Sequence, residues 1–319
     1  MRRIVVLDGF TLNPGDNPWD DIAALGELTV YDRTPPDLIV ARAQAAELLL
    51  TNKTHLTADA LSKLGAVRYI GVLATGFDVV DTTAARARGI PVTNVPVYGT
   101  DAVAQFVFAL ILEHCHHVAH YAAAVHAGEW TARRDFSFWD SPLVELVDKA
   151  MGIVGFGRIG RRVGELAHAF GMRVLACDEH RGEPPRHPVE WRELGVLVSE
   201  ADFVSLHCPQ TPDNVGMVDA ALIASMKPDV YLINTARGGL VNERDLADAL
   251  NAGRIAGAAC DVVSVEPIRP DNPLLSAKNI TITPHMAWAT LAARRRLMKT
   301  AAENIAAFLA GNAVNVVNP

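Results

Sequence analysis

"MGIVGFGRIGRRVGELAHAFGMRVLACDEH", residues 151–180, is the stretch whose reading decides the fold. It begins as an apolar run of strand character. Gly155, Gly157 and Gly160 follow at once and open a segment with apolar residues at helical spacing. A G-x-G-x-x-G pattern alone means little, because glycines gather in any turn. Here a second apolar strand follows the helix and ends in Asp178, eighteen residues past Gly160. Each part has a physical task. The first glycine permits a tight turn, the second lets backbone approach a pyrophosphate, and the third lets helix and strand pack closely. The helix N-terminus offers N–H groups and partial positive charge to phosphates, with Arg158 and Ile159 at the point of contact. Asp178 suits ribose hydroxyls, and with Glu179 it repels a 2′-phosphate, so the stretch predicts NAD in preference to NADP. The competing reading is a βαβ unit with glycines chosen for packing alone, and it leaves the register of strand, helix and acid unexplained.

Outward from this unit the chain alternates strand and helix in both directions. Downstream, strands are predicted at 173–178, 202–206, 230–235, 257–262 and 279–283, after the one at 150–155. Upstream, "RIVVLD" (3–8), "ELTVYD" (27–32), "ELLLTN" (47–52), "RYIGVLATG" (68–76) and "IPVTNVP" (90–96) form an earlier series, with helices at 57–64 and 81–88. Such alternation argues for parallel sheets with helical crossovers. Residues 101–120 predict one long helix, with Asp101 as N-cap and neither Gly nor Pro inside it. A last helix over 286–310 has no strand left in its own series to follow. The simplest packing returns it to the first series. The fold class is therefore α/β with two doubly wound parallel-sheet domains. One is flavodoxin-like and discontinuous, 1–100 with 286–319; the other is a Rossmann domain over 101–285.

The chain of 319 residues has room for about two domains. Half its residues are hydrophobic and its formal net charge is −7, so a nucleic-acid partner is not expected. No apolar run approaches the ~18 residues of a membrane span. "MRRIVVLDGF" reaches Asp8 too soon for a signal peptide, and Cys115, Cys177, Cys208 and Cys260 show no C-x-x-C spacing. These features predict a cytoplasmic protein with reduced thiols. "EHCHHVAH" (113–120) places His116 and His120 four apart, but zinc needs three or four ligands, and no metal is expected.

Three downstream strand ends each carry one charged or titratable residue. "NTARGGLVNERDLADAL" presents Arg237, "DVVSVEP" runs from Asp261 to Glu266, and "NITITPHMAWAT" supplies His285 after Pro284. Taken singly, these are a cap arginine, a solvated loop acid and a polar strand-end residue. Together with "GFGRIG" and Asp178 they resemble the D-isomer-specific 2-hydroxyacid dehydrogenases over essentially the whole chain. "LATGFDVVD", "VYGTDAVAQ" and "FSFW" point within that family toward glycerate dehydrogenases, which act as hydroxypyruvate reductases.

The resemblance implies roles that the chemistry supports. Arg237, a fixed and always charged fork, would hold the substrate carboxylate and polarise the carbonyl. His285 would be the general acid. An ordinary histidine has a pKa of ~6.5, so the anionic Glu266 would help keep it protonated and orient its ring. By the same resemblance, backbone around Leu73, Thr75 and Gly76 binds the substrate carboxylate, and the discontinuous domain is the substrate domain. Thr75, Cys208, Thr235, Ala236, Asp261 and Trp288 would touch the NAD, and "FSFWD" (136–140) would pack against a second subunit in a homodimer. A reductase of broader 2-keto-acid range is the alternative within enzymes. An NAD-sensing binding protein is the alternative outside them. A formate-dehydrogenase-like activity fits less well, because those relatives pair the histidine with glutamine where Glu266 stands.

Overall fold

The computed structural model describes residues 2–319. The chain divides into two compact units, Met1–Gly99 with Trp288–Pro319, and Thr100–Ala287. In the first, β1 (Arg3–Val6), β2 (Glu27–Val30), β3 (Leu48–Thr51), β4 (Tyr69–Val72) and β5 (Val92–Thr93) form a parallel sheet in the order β2-β1-β3-β4-β5. β3 and β4 are buried along their whole length, as unbroken apolar runs between two helical layers must be. One face of the sheet packs on Ile39, Leu61 and Leu64. The other packs on Ile22 and on Leu297, Met298, Ala301 and Ile305, which lie at helical spacing along one side of the closing helix Leu291–Leu309. That stripe is what returns the chain's end to its beginning.

The second unit holds β6 (Ala150–Val154), β7 (Arg173–Cys177), β8 (Glu190–Trp191), β9 (Phe203–Leu206), β10 (Tyr231–Asn234), β11 (Gly257–Cys260) and β12 (Ile280–Ile282). They are parallel, in the order β12-β11-β10-β9-β6-β7-β8. The strand order thus reverses between β6 and β9, and in the other sheet between β1 and β3.

Two predicted helices differ from the observed ones. The helix read over 101–120 runs Thr100–His116 and restarts as Val118–His126, with a 55° bend. His117 takes a left-handed conformation, φ 48°, at the break. Asp101 lies inside the helix and its carboxylate receives Arg162 at 2.8 Å. The break also separates His116 from His120, whose ring bonds Asp140 at 3.0 Å. Among the described residues no group of three or more potential metal ligands is found. The closing helix starts at Leu291, not at 286. His285 has φ 54°, and the N–H groups of Met286 and Ala287 donate to the Asp261 carboxylate, so helix begins only after Thr290, whose hydroxyl caps Ala293 N–H. No single helix among the described residues is long and apolar enough to cross a membrane.

Candidate active site

The three glycines of the 151–180 unit answer to different neighbours. Gly155 has φ 91°, and a Cβ there would lie 2.4 Å from the Cys208 nitrogen. A Cβ on Gly160 would lie 2.1 Å from the Gly155 carbonyl oxygen. Both are therefore fixed by packing of the protein on itself. Gly157 is not. Its φ of −74° suits any residue, and nothing lies within 4 Å of where its Cβ would be. It caps the helix Arg158–Ala169 without a side chain, so the first-turn N–H groups, those of Arg158 and Ile159 included, receive no side-chain cap.

Asp178 lies immediately after β7, and its carboxylate braces the glycine loop. It accepts from Phe156 N–H at 2.5 Å and from His180 N–H at 2.8 Å. Across the reversal, Cys208 follows β9, and burial pushes its thiol pKa up, which keeps it protonated. Next to it, His207 receives or donates a 2.8 Å bond with Ser205, and burial pushes its pKa down to about 3. After β10, the Thr235 hydroxyl is sealed from solvent with no partner among the described residues. A buried unpaired hydroxyl is costly unless a ligand satisfies it. An open glycine, a bare helix N-terminus, a braced acid and this orphaned hydroxyl fit a dinucleotide.

The three residues expected to carry the chemistry follow β10, β11 and β12. His285 Nδ1 lies 2.7 Å from the Glu266 carboxylate. Both side chains are partly exposed, at 25% and 33%. With Nδ1 engaged, ring geometry directs Nε2 away from the carboxylate. Arg237 stands at the start of a short turn, 238–240, and donates to the Ala236 carbonyl at 2.8 Å. Buried Asn234 shapes that turn by donating to the Arg237 carbonyl and accepting from Ala236 N–H.

Asp261 is 1% exposed, and its carboxylate takes three bonds from this chain: Thr283 Oγ1 at 2.7 Å, Met286 N–H at 2.8 Å and Ala287 N–H at 2.9 Å. Its first task is to hold the segment that presents His285. Sequence reasoning missed Thr283 and Gly238. A Cβ on Gly238 would lie 1.9 Å from the Val263 backbone, so this glycine joins the Arg237 turn to the loop that ends in Glu266. The adjacent glycines after Arg237 were the available signal.

The remaining expected residues belong to the other unit. Leu73 is buried, Thr75 donates to the Val95 carbonyl at 2.9 Å, and Gly76 follows in the same turn after β4. Trp288 meets Tyr98 edge-on at 6.2 Å.

Residues 108–287 match the family described as D-isomer specific 2-hydroxyacid dehydrogenase, NAD binding domain. The chain is 49% identical to a hydroxypyruvate reductase of Blautia hydrogenotrophica over 99% of both chains. It is 38% identical to a glycerate dehydrogenase of Methylorubrum extorquens, over 91% of this chain and 92% of that one. A solved D-lactate dehydrogenase from Aquifex aeolicus, complexed with NAD and lactic acid, superposes with a TM-score of 0.84 at 29% identity, covering 98% of this chain and 96% of the other. The open glycine turn, the orphaned hydroxyl and the histidine–carboxylate pair thus sit in a chain that belongs to the D-isomer-specific 2-hydroxyacid dehydrogenases.

Proposed function

We propose that the chain reduces hydroxypyruvate to D-glycerate with NADH, and that Arg237, Glu266 and His285 carry the reaction. The observation that carries the reading is the 2.7 Å contact between His285 and Glu266 at a strand's carboxyl end. The 49% identity to a hydroxypyruvate reductase supports the substrate.

When bound, the reduced nicotinamide supplies the hydride. The protein's part is to hold the keto acid and manage the proton. The Arg237 guanidinium binds the carboxylate and draws electron density from the adjacent carbonyl. His285 donates its Nε2 proton to the carbonyl oxygen as negative charge develops there. Glu266, on Nδ1, fixes the ring and stabilises the charged imidazolium before the transfer. In the reverse direction His285 accepts the hydroxyl proton. Leu73, Thr75 and Gly76 complete the substrate set. Gly155, Gly157, Arg158, Ile159, Gly160, Asp178, Cys208, Thr235, Ala236 and Asp261 form the cofactor set, with Thr75 and Trp288. Asp178 and Glu179 set the preference for NADH.

The working form is a cytoplasmic homodimer. Phe136 and Trp139 are 90% and 64% exposed, and Trp130 and Leu143 add to the same apolar arm. A second copy of the chain is the partner that would cover it. Sedimentation at micromolar concentration should give a dimer, and a monomer would end that part of the reading.

Initial rates with a panel of 2-keto acids, run with NADH and NADPH in parallel, test the function. Hydroxypyruvate with NADH should give the highest kcat/KM. A higher value for pyruvate or a bulkier acid would move the activity to that substrate. No turnover with any of them would leave an NAD-binding protein. His285→Ala should retain NADH binding while kcat falls about 10²- to 10⁴-fold. Near-normal turnover would remove His285 from the chemistry.

A further inference from the structure

The turn after β4, residues 73–76, carries no charged side chain, and the Thr75 hydroxyl is spent on the Val95 carbonyl at 2.9 Å, yet its backbone is pinned from outside. Three successive carbonyls, those of Leu73, Ala74 and Thr75, are each taken by a donor from a neighbouring segment. Asn52 Nδ2 donates to the Leu73 carbonyl at 2.6 Å. Val95 N–H donates to that of Ala74 at 2.9 Å. Asn94 Nδ2 donates to that of Thr75 at 2.7 Å.

A trans peptide plane fixes the N–H opposite its own carbonyl. The Ala74 and Thr75 carbonyls both face the 94–95 segment. The N–H groups of Thr75 and Gly76 must then both point away from it, toward a common side. Among the described residues neither N–H has an acceptor. Adjacent amides turned the same way form an anion-binding concavity.

The two asparagines are themselves braced. The Asn94 carbonyl accepts from Asn304 Nδ2 at 2.9 Å, and Asn304, 1% exposed on the closing helix, accepts in turn from Asn315 Nδ2 at 2.8 Å. Asn94 N–H donates to the Asn315 carbonyl at 3.1 Å. On the other side, Asn52 N–H is held by the Asp8 carboxylate at 2.7 Å.

We propose that Asn94, with Asn52 as its counterpart, is a positioning residue that aims the Thr75 and Gly76 amides at the substrate carboxylate. This rests on the 2-keto-acid reading above. Asn94 does not touch the substrate; it acts through the Thr75 peptide. Backbone amides can hold a carboxylate tightly only if their direction is fixed before binding, and a turn without pinned carbonyls would spend part of the binding energy on ordering itself.

Asn94→Ala and Asn94→Asp test it. The alanine variant should raise KM for hydroxypyruvate about tenfold, the loss of roughly one charge-assisted bond's directional quality, with the NADH dissociation constant unchanged. The aspartate variant should be worse, because it sets a carboxylate against the Thr75 carbonyl. Asn315→Ala, at an exposed position, loosens only the brace and should raise KM by about threefold, on the order of half the alanine effect in free energy. A lower melting temperature with KM unchanged assigns Asn94 to folding and overturns the proposal. So does an Asn315→Ala enzyme with unchanged KM should the Asn94 variants fail to fold. If the wild-type enzyme itself does not reduce hydroxypyruvate, the function reading fails and this one is judged by oxamate binding to the NADH complex. About tenfold weaker oxamate binding in Asn94→Ala supports the positioning role, and unchanged binding ends it.

Discussion

The two sheets each reverse strand order once, and the chain treats the two crevices in opposite ways. In open α/β sheets such reversals, at the carboxyl ends of the strands, are where ligands bind. Between β6 and β9, Gly155 abuts the Cys208 backbone while Gly157 faces open space. Between β1 and β3 the corresponding position is filled by the chain itself. The Asp8 carboxylate accepts from the N–H groups of Asn52, Lys53 and Thr54 at 2.7, 2.5 and 2.7 Å. One crevice has open space beside Gly157, and the other already holds an anion. Topology supplies two candidate sites, and side chains decide which stays open. In the first unit the outward-facing amides are displaced to the next turn, after β4.

The sharpest way to break this contrast is to fill each glycine in the open crevice. Gly160→Ala drives a methyl onto the Gly155 carbonyl and should destabilise the unit by roughly 3 kcal/mol or more, read as a large drop in urea midpoint. Gly157→Ala meets no protein atom, so its urea midpoint should stay within about 0.5 kcal/mol of wild type while NADH binding weakens at least tenfold. Unchanged NADH affinity in that variant would mean the open space at Gly157 is not where the pyrophosphate lies.

The filled crevice answers to Asp8→Ala. Three backbone N–H groups lose their acceptor, two of them on the nearly buried Asn52 and Thr54, for a loss of about 2 kcal/mol. Added acetate should recover part of that loss in the variant and none in the wild type. No loss at all would show that Asp8 is not what occupies the position.

This contrast also explains what could be read in the sequence. Glycines spaced for a turn, an acid at the next strand end and an unbroken βαβ rhythm are local, so the Rossmann unit and both parallel sheets were legible. Arg237, Glu266 and His285 stood out as candidates because each comes after an apolar strand, and of these the structure brings His285 and Glu266 into contact. The break at His117 was not, since a left-handed histidine carries no mark in a segment free of Gly and Pro. Nor was the late start of the closing helix, because it depends on Asp261 capturing the N–H groups of Met286 and Ala287 from 25 and 26 residues away. The pinned carbonyls of 73–75 were equally hidden. Asparagines are ordinary turn residues, and their partners here lie 19 to 21 residues off.

The smallest expected effect tests the scaffold side of the open crevice. His207 precedes Cys208 there, bonded to Ser205 and with a folded pKa pushed by burial to about 3. An unfolded histidine titrates near ~6.5. Between those values the unfolded chain binds a proton that the folded chain refuses, so stability rises with pH across that window. The contribution is complete above about 6.5 and is lost progressively as pH falls toward 3. His114, stacked on Tyr231 and held by burial to about 4, acts in the same direction. His207→Gln keeps a polar partner for Ser205 but cannot titrate. Its stability loss between pH 7 and pH 5 should be smaller than the wild type's by on the order of 1–2 kcal/mol, measured as the difference in urea midpoints. NADH affinity at pH 7 should be unaffected. An identical pH dependence in the two proteins would show that His207 takes up its proton as readily in the folded chain as in the unfolded one, and burial of this histidine would then contribute nothing to the loss of stability in acid.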